Sequence, residues 1–269
     1  MMHRLSDEIM KQTALITGAA SGLGFEFARL LAKEGYHLIL ADKNGTALHK
    51  AAEDIRSQHY QDVKTITIDL TEDNAAIRLI EMAGPGRIDI LINNAGFGLF
   101  GPFFTSDWHI ESGMIRLHIL NLTHLTKLVV QRMVESGQGK VLNISSMAGF
   151  QPGPLFSVYA ASKAYINSFS QSLSNELKDK GVTVTLLCPG QTRTGFASEV
   201  ARISGSKLSK VPFTAHATDV ARFGLEAMKK GKAVAIPGFT NKVTALLSKL
   251  LPSGMTTRIN RNMQERIRR

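Results

Sequence analysis

The chain has 269 residues, 43% hydrophobic and 20% charged, the composition of an ordinary soluble globular protein of one domain or at most two. A single cysteine, Cys188, excludes an internal disulfide, and no apolar run reaches the roughly 18 residues of a membrane span. The formal charge of +10 is uneven: from Met228 onward ten Lys and Arg are set against one acid, Glu265, so 10 − 1 = +9 lies there.

Thr13–Thr17 is a short apolar run and reads as a first strand. Gly18-Ala19-Ala20-Ser21-Gly22-Leu23-Gly24 follows at once, and Phe25–Glu34 has helical periodicity stopped by Gly35. Strand, glycine turn and helix are the context of a dinucleotide fingerprint. Glycines let backbone N–H groups approach a pyrophosphate, which sits at the positive helix N-terminus. The second strand, His37–Ala41, ends at Asp42, which lies 42 − 24 = 18 residues past the last glycine. An acid near that spacing hydrogen-bonds the adenosine ribose and repels a 2′-phosphate. Asp42 therefore argues for NAD, while Lys43 beside it keeps NADP open.

Ala47–Ser57 is amphipathic. Val63–Ile68 is a third strand closed by Asp69 and Leu70, and Thr71–Met82 a helix with Thr71 as N-cap. Ile88–Ile92 is a fourth strand, ending in Asn93-Asn94-Ala95-Gly96. The glycine- and phenylalanine-rich stretch Phe97–Phe104 reads equally as a pocket wall or as a packed loop. Asp107–Glu135 is a long helix with Asn121 inside it, where an Asn is mildly unfavourable.

The run from Gly139 ends in Ser145 and Ser146, a buried strand with hydroxyls at its C-terminal end. Tyr159 and Lys163, at i and i+4 of a helix over Ser157–Lys180, share one face. A phenol with a pKa of about 10 is a poor base near neutrality, and a neighbouring ammonium is expected to lower it. Val182–Leu187 is a sixth strand, followed by Pro189-Gly190-Gln191-Thr192-Arg193-Thr194. Residues 195–215 are a candidate substrate lid. Thr218–Lys230 is a helix capped by Thr218 and Asp219, and Ala233–Ile236 a seventh strand.

The ensemble resembles the short-chain dehydrogenase/reductase family from about Lys11 to Pro237. It carries Thr-Gly-x-x-x-Gly-x-Gly, Asn-Asn-Ala-Gly, Tyr-x-x-x-Lys and a serine 159 − 146 = 13 residues before the tyrosine. The resemblance implies a Rossmann-type doubly wound α/β fold of about seven parallel strands, in one domain over residues 1–269. It implies catalytic Asn121, Ser146, Tyr159 and Lys163, with Asn121 anchoring a relay water. Cofactor contacts fall on Gly18, Ser21, Gly22, Leu23, Gly24, Asp42, Lys43, Asp69, Leu70, Asn94, Ala95, Gly96, Pro189, Gly190, Thr192 and Thr194, besides Tyr159 and Lys163. Thr192 departs from the aliphatic residue of the family pattern. The expected activity is hydride transfer between NAD (or NADP) and a small carbonyl or alcohol substrate, in a homodimer or homotetramer.

Residues 238–269 form a basic helical tail. Phe239, Val243, Leu246, Leu247 and Leu250 fall at helical spacing, Pro252–Gly254 breaks the run, and a second segment covers Met255–Arg269. A helix packed on the domain or a partner subunit is the favoured reading, and docking on anionic membrane the alternative. Without an apolar signal core at the start, a cytoplasmic location is expected. No nucleic-acid motif and no metal-ligand spacing is present. A non-catalytic dinucleotide-binding regulator and a membrane-peripheral reductase of lipid-linked or acyl substrates are the competing function classes.

Overall fold

Short apolar runs such as residues 14–16, 38–41 and 90–92 are built to be covered on both faces, and here they form the middle of one parallel sheet. The computed structural model describes residues 12–59, 62–206 and 215–268. The strands are β1 (Thr13–Thr17), β2 (His37–Asp42), β3 (Val63–Thr67), β4 (Ile90–Asn93), β5 (Gly139–Ile144), β6 (Val182–Leu187) and the short β9 (Val234–Ala235). Their order is β3-β2-β1-β4-β5-β6-β9, and every pairing is parallel. The order reverses between β1 and β4, which opens a crevice at the C-terminal strand ends, where doubly wound folds bind ligands. A separate pair, β7 (Thr192–Arg193) and β8 (Ala215–His216), lies beyond β6.

Alternate strand residues feed two cores. Ile16, Leu40 and Ile92 face α1 (Gly22–Lys33), α2 (Gly45–His59) and α8 (Ala217–Lys229), where Phe27, Leu31, Leu48, Ile55 and Leu225 pack. Leu15, Leu91 and Val141 face the other side, where α3 (Ala75–Ala83) and α5 (Leu122–Glu135) supply Leu79, Leu125, Val129 and Met133. Each such side chain, once buried, contributes about 1.5–3 kcal/mol. Between the central strands and α5 and α6 (Ser157–Glu176) runs a buried polar ladder. Asn93 Nδ2 donates to Thr126 Oγ1 (2.9 Å) and Asn143 Oδ1 (2.8 Å), and Asn143 Nδ2 donates to Ser170 Oγ (2.9 Å).

Several elements differ from the sequence expectation. The third helix starts at Ala75, not Thr71, because the Thr71 N–H and hydroxyl both donate to Asp69 Oδ1 at 2.8 Å. Those bonds close the end of β3, and Asn74, left-handed at φ 57°, turns the chain into α3. The expected long helix over Asp107–Glu135 is α4 (Trp108–Ile115), capped by the Asp107 carboxylate, then a π-helical turn over Arg116–Asn121, then α5. The helix α6 stops at Glu176, and α8 starts at Ala217 with no side-chain cap. Within the candidate lid, α7 spans Phe196–Ser204, while 207–214 lie outside the described residues.

The tail forms α9 (Phe239–Leu250) and α10 (Ser253–Arg268). It leans on the segment after β5: Ser248 Oγ donates to Gln151 Oε1 (3.2 Å) and Asn260 Nδ2 to Pro152 O (2.9 Å). Its outer side still exposes Phe239, Leu246, Leu250 and Ile259. Among the described residues no helix is long and apolar enough to cross a membrane.

Candidate active site

Ser146, Tyr159 and Lys163 meet at the C-terminal end of β5. Ser146 follows the strand in extended conformation, and its Oγ accepts from the Ala148 N–H at 3.1 Å. Tyr159 and Lys163 project one helical turn apart from α6, and both are buried. The Ser146 hydroxyl bears on the Tyr159 hydroxyl and favours its ionised form. Lys163 Nζ donates to the Ile144 carbonyl at 3.1 Å and lies 5.7 Å from the Tyr159 ring centre.

The electrostatics depart from the sequence expectation. Burial pushes the Tyr159 phenol up to about 12, and the Ser146 hydroxyl pulls it only part of the way back. Burial also brings the Lys163 ammonium down to about 8, with Cys188 opposing. A lysine that is itself desolvated, and spends a donor on a carbonyl, does not overcome the loss of water around the phenol.

An apolar wall encloses the tyrosine. Its ring lies 5.6 Å from Phe156 and 5.5 Å from Phe196, and Phe100, Met114 and Val200 complete the cluster. The glycine- and phenylalanine-rich stretch thus splits in two. Phe97 and Phe100 turn inward, while Phe103 and Phe104 stand out in solvent on a short 3-10 turn.

Asn121 does not join this group. Its Nδ2 donates to the Leu70 and Glu72 carbonyls, both at 2.9 Å, and its Oδ1 accepts from the Ala76 N–H at 3.2 Å. It ties the β3–α3 loop and the first turn of α3 to the π-helical turn. The residue that turns toward Lys163 is His118, three positions earlier in the same π-helical turn and fully buried. A Cβ placed on Gly96 would meet His118 Nε2 at 2.8 Å and Lys163 Nζ at 3.6 Å. His118 was missed because a regular helix was assumed. The available signal was a histidine flanked by Leu117, Ile119 and Leu120.

The opposite side of the crevice is a cradle. Gly18 (φ +65°) and Gly22 (φ +57°) take left-handed conformations that a side chain resists. A Cβ on Gly18 would lie 2.8 Å from the Ala95 Cα and 2.9 Å from Asn94 Nδ2, and one on Gly24 would overlap the Gly18 carbonyl. Asn94 locks this approach, donating from Nδ2 to the Thr17 and Gly18 carbonyls at 3.0 Å, while the Asn94 and Ala95 N–H groups donate to Thr17 Oγ1. Ser21 is the N-cap of α1, and its side chain makes no capping bond, so the helix start, running into Leu23, is open to an anion. Asp42 is held at the same mouth: Oδ2 accepts from the Ala20 N–H (3.1 Å) and Oδ1 from the Asn44 N–H (3.0 Å). Lys43 reaches over Phe97, 5.7 Å from the ring centre. Asp69 and Leu70 close β3 at the same sheet end.

Beyond β6, the Pro189 carbonyl accepts from the Met147 N–H (3.1 Å), and Gly190 packs against Asn241 of α9. The Thr192 hydroxyl donates to the Gly190 carbonyl (3.0 Å). Thr194 approaches Gly22, whose hypothetical Cβ it would meet at 3.2 Å, so the turn after β6 faces the glycine cradle. Among the described residues no cluster of His, Cys, Asp and Glu could hold a metal ion.

Such a crevice, with an acid/base group on one wall and an anion cradle on the other, defines a nicotinamide-dependent oxidoreductase of the doubly wound class. The family model for short chain dehydrogenase matches residues 12–203. The very-long-chain 3-oxoacyl-CoA reductase of Bos taurus is 29% identical over 250 residues, covering 91% of this chain and 77% of that one. The 17-beta-hydroxysteroid dehydrogenase type 3 of Mus musculus is 35% identical over 184 residues, 67% of this chain, and the match spans 60% of that protein's length. Among solved structures, a short-chain dehydrogenase from Sphingobium yanoikuyae in complex with NADPH superposes with a TM-score of 0.80 at 30% identity, covering 89% of this chain and 93% of that one. The chain belongs to the short-chain dehydrogenase family.

Proposed function

We propose that this oxidoreductase transfers hydride between a nicotinamide and the carbonyl or secondary alcohol of a bulky apolar substrate, with NAD favoured over NADP. The observation that carries the reading is Tyr159, buried inside the wall of Phe100, Phe156, Phe196 and Val200 beside the buried Lys163 and the half-buried Ser146. In the reducing direction the Tyr159 hydroxyl donates its proton to the carbonyl oxygen, and Ser146 donates a hydrogen bond to the same oxygen. Lys163 holds the ribose hydroxyls of the cofactor. The bound nicotinamide supplies the hydride. Gly18, Ser21, Gly22, Leu23 and Gly24 would hold the pyrophosphate, Asp42 the adenosine ribose, and Asp69 and Leu70 the adenine. Asn94, Ala95, Gly96, Pro189, Gly190, Thr192 and Thr194 would line the nicotinamide half. Lys43, directed at Phe97, offsets the Asp42 charge only in part.

A non-catalytic cofactor-binding module is disfavoured, because binding alone does not call for the Ser146 and Tyr159 hydroxyls to be gathered beside Lys163 as a proton relay. The names of two relatives, a 3-oxoacyl-CoA reductase and a hydroxysteroid dehydrogenase, support a bulky apolar ketone. A panel of a 3-oxoacyl thioester, a ketosteroid and acetone, followed by nicotinamide absorbance, tests this. Turnover is expected with at least one bulky ketone and not with acetone, and acetone as the best substrate overturns the apolar-site reading. The groove between α5 and α6, lined by Val130, Val134, Phe169 and Leu173, supports self-association of a cytoplasmic enzyme. The exposed Phe239, Leu246 and Leu250 beside Lys242 and Lys249 favour a second reading, contact with anionic membrane. Co-sedimentation with anionic liposomes, which only that second reading predicts, separates the two.

A further inference from the structure

His118 is fully buried in the π-helical turn, and its Nδ1 lies 2.9 Å from Ser162 Oγ. Ser162 has one hydroxyl proton, and it goes to the Tyr159 carbonyl at 2.8 Å, which can only accept. With its proton so placed, Ser162 Oγ is free to accept from His118, and in that arrangement the imidazole carries its proton on Nδ1. The other nitrogen, Nε2, is left as a bare lone pair. It has no hydrogen-bond partner, although it is buried. A buried acceptor without a partner costs about 1–3 kcal/mol and calls for an explanation. Nε2 points to the space beside Gly96, which has no side chain to fill it, and Lys163 Nζ flanks the same space. Lys163 has three donor positions, and the Ile144 carbonyl takes one.

We propose that His118 is the positioning residue of the proton relay: its Nε2 lone pair holds the Lys163 ammonium through one water, and so keeps that lysine charged beside Tyr159. The inference rests on the reading of Ser146, Tyr159 and Lys163 as the catalytic group. The groups that bear on His118 are consistent with a lone-pair role. Tyr159 and Lys163 face it from α6, Phe97 packs on it from the end of β4, and Cys188 at the end of β6 faces Lys163. Burial and the Lys163 charge hold His118 well below the usual imidazole range, so it stays neutral and does not itself take the proton. Cys188 is pushed up to about 12 by burial and stays a thiol.

The test compares His118→Phe, which keeps the ring and removes both nitrogens, with His118→Gln, whose amide oxygen reaches near the Nε2 position. Alcohol oxidation is followed across pH with Tyr159→Phe as the reference. For His118→Phe, kcat is expected to fall about tenfold or more, the value of one hydrogen bond to a charge. The rising limb of the pH profile should move to higher pH, because a lysine that has lost its acceptor is less often charged and stabilises the phenolate less. His118→Gln should return the limb toward the parent position. An activity loss equal at all pH, with the limb unmoved or with no rescue by Gln, overturns the proposal and marks His118 as packing only. Histidine nitrogen NMR of the cofactor-free protein gives a second readout, and a proton on Nε2 overturns the tautomer on which the argument stands. Should Tyr159→Phe keep full turnover, the catalytic reading falls and this inference with it. An inactive Tyr159→Phe with a silent His118→Phe condemns the relay alone.

Discussion

Gly18→Ala is the sharpest probe of the cradle, because two separate costs are legible at that position. The first is conformational. Gly18 has φ +65°, and an alanine there costs roughly 1–2 kcal/mol. The second is steric: the new Cβ would sit 2.8 Å from the Ala95 Cα, a backbone atom, and 2.9 Å from Asn94 Nδ2. Asn94 cannot swing away without giving up its bonds to the Thr17 and Gly18 carbonyls. Overpacking of this kind costs about 1–3 kcal/mol, so the two together reach about 2–5 kcal/mol. Gly35→Ala supplies the control, since Gly35 has φ +90° but nothing within 4 Å of its hypothetical Cβ. It should lose only the conformational part. Denaturant unfolding and NAD titration of both variants measure the difference. Gly18→Ala is expected to be the less stable by at least about 1 kcal/mol, and to bind NAD at least tenfold more weakly than Gly35→Ala. Equal stability and equal NAD affinity in the two variants would refute the close approach of the glycine turn to Asn94 and Ala95.

Other consequences are as direct. Asp42→Ala should bring the affinities for NAD and NADP closer together, because like-charge repulsion at a binding site is worth several kcal/mol; an unchanged ratio in paired titrations would remove Asp42 from cofactor choice. Asn121→Ala should cost about 1–3 kcal/mol in denaturant unfolding, through the unpaired Leu70 and Glu72 carbonyls, and leave the pH profile of turnover in place; a shifted profile would return Asn121 to the relay. Lys163, brought down to about 8, is charged below that pH and neutral above it, so NAD affinity should fall as pH rises through about 8. In Lys163→Arg that fall should be absent, since an arginine does not deprotonate in proteins; the same fall in both would assign the titration to another group.

The sheet was legible because its strands are short β-branched and apolar runs, several of them closed by Gly, Asp or Asn, and the glycine turn because it sits between such a strand and a helix. Ser146, Tyr159 and Lys163 were legible as spacing along one strand and one helix face. Asn121 and His118 were not, and the reason is geometric. A π-helical turn inserts an extra residue into the ladder, so the face that meets Lys163 cannot be counted from the regular 3.6-residue period. The sequence shows an Asn out of place in a helix, and the structure gives that Asn a loop to hold, while the histidine three positions earlier is the one that lies near Lys163. The Tyr159 pKa was beyond the sequence for a different reason. The neighbouring lysine is visible as Tyr-x-x-x-Lys, but the wall of Phe156, Phe196 and Phe100 that desolvates the phenol is assembled from three distant segments.

The account stands on Tyr159 as the group that moves the proton, and Tyr159→Phe tests it with the smallest possible change. The substitution keeps the ring that packs on Phe156 and Phe196 and removes only the hydroxyl. Steady-state turnover with the best ketone of the panel should fall by about 10²–10⁴, the range for a lost general acid. NAD affinity and thermal stability should stay near those of the parent. Turnover within a factor of about three of the parent would contradict the account at its centre, because a general acid that can be removed at so small a loss supplies none of the range expected of one.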